Sequence, residues 1–180
     1  MRYFLLLLAL FFNLHCGYQI MQTSNLFGYS AISLEIFEEE RPLGVSADLT
    51  KALQRRFLAG GINITNQRDT ASATLNGKIS NIANRPSSLA GSGSSIPAYQ
   101  IQMQLAVFFK EPSGKTLWEQ KFTFSEDYLS PKSATENAIL KTESNKRRAL
   151  TRLADKIASE IHQQLFLNAN IHKQQNVKSQ

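Results

Sequence analysis

The stretch from Tyr99 to Phe109 constrains the fold more than any other part of the chain. Tyr99, Ile101, Met103, Leu105, Val107 and Phe109 occupy every second position, opposed by Gln100, Gln102 and Gln104. Side chains of a strand alternate between two faces, so this period of two dictates a long strand with one apolar and one polar side. A helix would scatter the same residues around its axis. Glu111-Pro112-Ser113-Gly114-Lys115 follows, with Pro and Gly where a hairpin loop needs them. Trp118, Phe122, Phe124 and Tyr128 then fall on one parity, which predicts a second strand and a long antiparallel hairpin.

The apolar side of that hairpin must be covered. Leu150, Leu153, Ala154, Ile157, Ala158, Ile161 and Leu165 share one helical face, predicting a helix that starts near Ser133. About 30 residues at 1.5 Å give about 45 Å, and strands of about 12 residues at 3.3 Å span about 40 Å. The helix can therefore lie along the whole sheet. Upstream, Ser30 to Phe37 alternates with Ile32, Leu34 and Ile36 on one side, and Glu38-Glu39-Glu40-Arg41-Pro42 reads as the turn that ends this strand. Leu49, Ala52, Leu53 and Phe57 recur at three and four residues and predict an amphipathic helix, with Ser46 as N-cap and Gly60-Gly61 as its stop. A strand from Ala71 to Ile79 follows, then a flexible Gly/Ser-rich loop from Ala83 to Pro97.

The expected order is β-α-β-β-β-α. This is an α+β fold: a four-stranded mixed sheet with two helices packed on one face, the helix after the first strand serving as a crossover between parallel strands. The opposite face, rich in Gln, Ser, Thr and Lys, meets solvent or a partner. In domain terms, residues 1–15 read as an export signal, 16–167 as one domain, and the polar residues 168–180 as a disordered tail.

The export signal rests on Met1-Arg2 followed by the apolar run Tyr3 to Phe12. That run is too short for a spanning helix, which needs about 20 residues. It ends at Asn13-Leu14-His15-Cys16-Gly17, which puts the only cysteine of the chain at the point of signal cleavage. One cysteine cannot form an internal disulfide. The segment resembles the lipobox signals of bacterial lipoproteins, with Asn13, Leu14 and His15 standing where the pattern has Leu, a small residue, and Gly or Ala. The resemblance implies that Cys16 is the lipid attachment point, carrying diacylglyceryl and palmitate-type chains. The residues alone also allow an ordinary secretory signal with an incidental cysteine. Given lipidation, Gly17 rather than Asp after the cysteine implies the outer membrane.

Charge and histidine usage exclude other classes. The chain carries a formal net charge of +6, and loss of Arg2 with the signal leaves a modest excess. Its aromatics sit at core-facing strand positions instead of interleaving with basic residues, so nucleic acid is not expected as a partner. The histidines are His15 in the signal, His162 on the last helix and His172 in the tail, and none pairs at a metal-ligand spacing. No Gly-x-Ser-x-Gly elbow appears. An enzyme, a metal and a cofactor are not expected.

The element order and several segments together resemble the LptE family of lipopolysaccharide-assembly lipoproteins. The similarity begins at Cys16-Gly17-Tyr18 and includes the strand Ile32 to Phe37, the helix segment Leu49 to Leu58, and Ala71-Ser72-Ala73-Thr74-Leu75-Asn76-Gly77-Lys78-Ile79. It continues through Gly114-Lys115-Thr116-Leu117-Trp118-Glu119, Ala149 to Ala154, and Ile157-Ala158. The resemblance implies an outer-membrane lipoprotein, lipid-anchored on the periplasmic side, that plugs and supports an LptD-type β-barrel and assists lipopolysaccharide transport and insertion at the cell surface. Barrel lumens of this class are polar, which the glutamine-rich strand face suits; a plain solvated face has the same composition.

Lipopolysaccharide bears phosphates near its acyl chains, and phosphate recognition needs cations able to make charge-assisted hydrogen bonds. Arg85 and Lys132, expected on loops near strand ends, are the candidate lipopolysaccharide-binding residues. Lys146, Arg147, Arg148 and Arg152 form a larger basic run, interleaved with Glu143 and Asp155 as a solvated helix face would be. The competing reading is a periplasm-facing lipoprotein that binds another envelope ligand or secretion component on the same scaffold, which fold alone does not exclude.

Overall fold

The computed structural model describes residues 25–40, 44–65, 73–87, 97–131 and 135–178. In chain order the elements are β1 (Ala31–Leu34), β2 (Glu38–Glu39), α1 (Val45–Ala59), β3 (Asn63–Thr65), β4 (Ala73–Pro86), β5 (Ala98–Lys110), β6 (Thr116–Leu129) and α2 (Glu136–Lys178). They build an α+β fold with a mixed sheet in the order β3-β1-β4-β5-β6, while β2 pairs with β4 further along the edge that β1 occupies. The sheet thus has six strands and not the expected four. The two additional strands, β2 and β3, span two and three residues, too short for any hydrophobic period to register.

The β5–β6 hairpin forms as its alternation predicts. Ile101, Met103, Leu105, Val107 and Phe109 are buried, with Trp118, Phe122 and Tyr128 beside them. At the turn the Glu111 N–H donates to the Lys115 carbonyl at 3.0 Å, the Gly114 N–H donates to Glu111 at 2.9 Å, and Gly114 takes φ 89. On the other flank β4 pairs antiparallel with β5 from Thr74↔Lys110 to Pro86↔Tyr99. β4 is therefore longer than the expected Ala71–Ile79. Its register shifts between Ile79 and Asn81, a bulge that moves the inward positions from odd (Leu75, Ile79) to even (Ile82, Asn84) and so hides the second half of the strand from a strict period of two. Ala83–Pro86, expected in the flexible loop, belong to this strand. Of the remainder of that loop, Ser87 and Pro97 are described and 88–96 lie outside the described residues.

The expected first strand is broken. β1 runs parallel to β3 and β4, but after Leu34 the alternation flips: Ile36 is 70% exposed and Phe37 is buried. Gly77 is the reason. A Cβ there would lie 2.3 Å from Cε1 of Phe37, so the missing side chain makes the space that the ring fills. Glu38–Glu39, expected as a turn, then pair with Lys78–Ile79, and Lys78 Nζ meets Glu40 Oε1 at 3.2 Å.

α1 starts differently from expectation. Gly44, with φ 74, is the N-cap, and no N-cap side chain bonds the first turn. Ser46 sits inside the helix. The exposed helix N–H groups are instead met by the Glu39 carboxylate, which accepts from the backbone N–H of Gly44 at 3.2 Å and from that of Ser46. At the other end Gly60 and Gly61 N–H groups donate to Arg56 and Leu58 carbonyls, as the Gly-Gly stop predicts.

Both helices cover one face. Leu49, Leu53 and Phe57 of α1 and Leu153, Ile157, Ile161 and Leu165 of α2 join the inward residues of β4, β5 and β6 in one buried cluster. Arg55 Nη2 pairs with Asp155 at 2.8 Å, and the Phe57 ring lies 5.4 Å from that of His162; the pairing of rising numbers with rising numbers shows that the helices run the same way. α2 has 43 residues, about 65 Å at 1.5 Å per residue, longer than the expected helix. Residues 168–178, expected to be disordered, continue it. Ala169 extends the buried stripe of Ile161 and Leu165, and the His172 ring lies 5.6 Å from Phe27. Phe27 belongs to a tight turn in which Leu26 and Tyr29 exchange two 2.8 Å backbone hydrogen bonds, and it also packs 5.5 Å from Phe109.

Candidate functional site

The sheet face opposite the helices carries the polar half of every alternating run. On it Gln104 stands opposite Thr123, Gln102 opposite Ser125 and Gln100 opposite Asp127, with Gln100 Nε2 3.5 Å from Asp127 Oδ1. Lys110 Nζ lies 5.3 Å above the Phe108 ring. Among the described residues both helices lie on the other side, so this face is a broad open surface on which neutral polar groups mix with charges, the register placing Lys78, Arg85, Lys110, Glu119, Lys121 and Asp127 on it as well.

Arg85 belongs to the end of β4, not to a loop. It pairs with Gln100, which sets it on this same polar face, and its side chain is exposed. Lys132 and Cys16 lie outside the described residues. The Ser130 N–H donates to the Pro97 carbonyl at 2.9 Å and the Ser87 N–H to Ala98 at 2.9 Å. The chain therefore enters the segment that contains Lys132 at the sheet end where Arg85 stands.

The basic run of α2 divides by helix geometry. Arg152 turns toward the sheet, its Nε 2.6 Å from Glu126 Oε1 and its Nη2 donating to the Asp127 carbonyl at 3.2 Å. Arg148 Nη2 donates to Ser144 Oγ at 3.1 Å. Lys146 and Arg147 face the other way and, with Lys51 of α1, line a groove between the helices. Lys51 stands apart from this run in sequence, and no pattern links the two; only the divergence of α1 from α2 brings them to one site.

One buried polar group stands out near the helix pair. His162 packs against Phe57 and, at 4.4 Å, Phe166, and its Nε2 is buried without a hydrogen-bond partner. Burial, then the nearby Arg56 charge, lower its pKa below 6.5. Burial, then the neighbouring Glu111 carboxylate, raise that of Tyr29. Among the described residues no three His, Cys, Asp or Glu side chains gather to hold a metal ion, and no helix is long and apolar enough to cross a membrane.

The sequence model of the LptE family, described as lipopolysaccharide-assembly, matches residues 29–165, which spans β1 through most of α2. The chain belongs to the LptE family. Solved structures agree on the LptE-like fold. A minor lipoprotein from Acinetobacter baumannii is 18% identical with a TM-score of 0.51, over 79% of this chain and 92% of that one. A putative lipoprotein from Caulobacter crescentus CB15 is 13% identical with a TM-score of 0.52, over 74% and 86%. A putative neuraminyllactose-binding hemagglutinin homolog from Helicobacter pylori is 13% identical with a TM-score of 0.54, over 80% and 89%. No curated protein sequence matches the chain.

Proposed function

We propose that this LptE-family chain is an outer-membrane lipoprotein, anchored through Cys16 on the periplasmic side, that plugs and supports an LptD-type β-barrel and assists lipopolysaccharide transport and insertion at the cell surface. Its role is to bind and support, without catalysis. The observation that carries this reading is the family match over 29–165, because it covers the sheet and both helices together and not one local pattern. The open polar sheet face supports it: the interior of an outer-membrane barrel is polar, and a plug must present polar groups to that wall. Arg85, exposed at one end of this face, supplies a cation for lipid phosphate, with Lys132 as its partner.

Affinity purification of the tagged full chain from detergent-solubilised envelopes tests the reading. A large outer-membrane barrel should co-elute in near-equal amount. A tagged protein that elutes alone overturns the plug and favours a periplasm-facing lipoprotein bound to another envelope ligand or secretion component.

A further inference from the structure

The C-terminal part of α1 touches the middle of α2, where Arg55 meets Asp155 and Phe57 meets His162. Toward their N-terminal parts they separate and leave an open groove of about 920 Å³ over the sheet. That volume lies within the roughly 300–1,000 Å³ of small-molecule sites. Ile82 of β4 and Leu150 of α2 present partly exposed apolar surface to it, with Ile101 of β5 and Val45 of α1 buried just beneath. Lys51 stands on one wall, Lys146 and Arg147 on the other, with Asp48 three residues before Lys51 and Glu143 three before Lys146.

Arg55, Lys78 and Arg152 each have a carboxylate within 3.2 Å. Lys51, Lys146 and Arg147 form no ion pair among the described residues, although Asp48 and Glu143 lie within reach along the helices. The groove therefore combines an apolar floor, two facing walls of unpaired cations, and one excess positive charge. A purely apolar ligand leaves those cations unused, and a free phosphate leaves the floor wet. An amphiphile with an anionic head satisfies both.

We propose that this groove binds the acylated, phosphorylated end of lipopolysaccharide. An acyl chain lies over Ile82 and Leu150, and a phosphate lies between Lys51 and the Lys146-Arg147 pair. The proposal rests on the lipopolysaccharide-assembly reading and adds to Arg85, on the polar sheet face, a second lipid-contacting region on the helical side of the molecule.

The test measures binding of lipid A to the purified full-length lipoprotein, alone and with its co-purifying barrel. The Lys146→Glu/Arg147→Glu pair and Ala47→Trp, an exposed groove position where the indole fills space without entering the core, should each weaken binding about tenfold or more. Lys156→Glu, the same charge change on an exposed position of α2 outside the groove, should stay within about twofold of wild type. Lipid A stripped of phosphate should bind about tenfold more weakly, and its deacylated glycan should not compete. Binding unchanged in both groove variants, but lost in Arg85→Glu/Lys132→Glu, overturns the groove while leaving lipopolysaccharide as the ligand. A wild-type chain that holds its barrel yet binds no lipid A overturns the groove and leaves the plug standing.

Discussion

Replacing Gly77 by Ala tests the packing logic of the sheet at one atom. The added Cβ would lie 2.3 Å from Cε1 and 2.6 Å from Cδ1 of Phe37, and 2.8 Å from the carbonyl oxygen of Ala106. The last is backbone of the neighbouring strand β5, held by its ladder, so the Phe37 ring must give way. Phe37 is 2% exposed, and turning such a ring out of the core loses about 1.5–3 kcal/mol. Residual crowding against β5 adds about 1–2 kcal/mol. The sum, about 3–5 kcal/mol, corresponds to a fall in Tm of about 10 °C for a domain near 150 residues. Urea unfolding of the purified protein at matched m-value measures it. Phe37→Ala alone should cost about 3–5 kcal/mol, but Gly77→Ala placed on that background should add only about 1 kcal/mol, because the ring it displaces is gone. A Gly77→Ala protein within about 0.5 kcal/mol of wild type refutes the reasoning. So does a double variant whose loss is the plain sum of the single ones.

Three further outcomes follow from residues already described. Metabolic labelling with a clickable palmitate analogue should mark the wild-type chain and not Cys16→Ser, and an unlabelled wild type removes the lipid anchor. Reversing Arg85 and Lys132 to Glu should lower lipopolysaccharide affinity about tenfold or more, the scale of lost charge-assisted hydrogen bonds, while the barrel still co-purifies; unchanged affinity takes both residues out of the site. His162 has a pKa below 6.5 when folded and close to 6.5 when unfolded, so the unfolded state binds more protons between those values. Stability should fall as pH drops from about 6.5 through the folded pKa, and His162→Phe, which keeps the ring contacts, should flatten that part of a chemical-denaturation pH series.

The alternation of Tyr99 to Phe109 was sufficient for the hairpin because each residue's face there follows from strand geometry alone. The same rule misassigned Ile36, since the exchange with Phe37 depends on a glycine 40 residues downstream. It also missed the second half of β4, where the bulge at Ser80 changes parity. Ser46 had the right chemistry for a cap, yet Glu39 meets the helix N–H groups from a two-residue strand. The tail looked disordered because its composition is polar; Ala169 and His172 nevertheless pack, and small or amphipathic residues carry little hydrophobic signal. The cations of the candidate site were readable as residue types. Their grouping across two helices was not, since it arises from the angle at which α1 and α2 part.

The small turn at Leu26–Tyr29 gives the molecule two poles. Phe27 is wedged against Phe109 and His172, at the end of β5 remote from Ile101 and of α2 remote from Arg147. Along β5 those ends are about 30 Å apart. With Cys16 acylated, nine residues lie between the anchor and Leu26, a leash of at most about 35 Å over ten Cα steps. On the proposed anchor, the Leu26 pole is the one held within that reach of the bilayer, and the groove and Arg85 belong to the opposite pole, one sheet length further from the point of attachment.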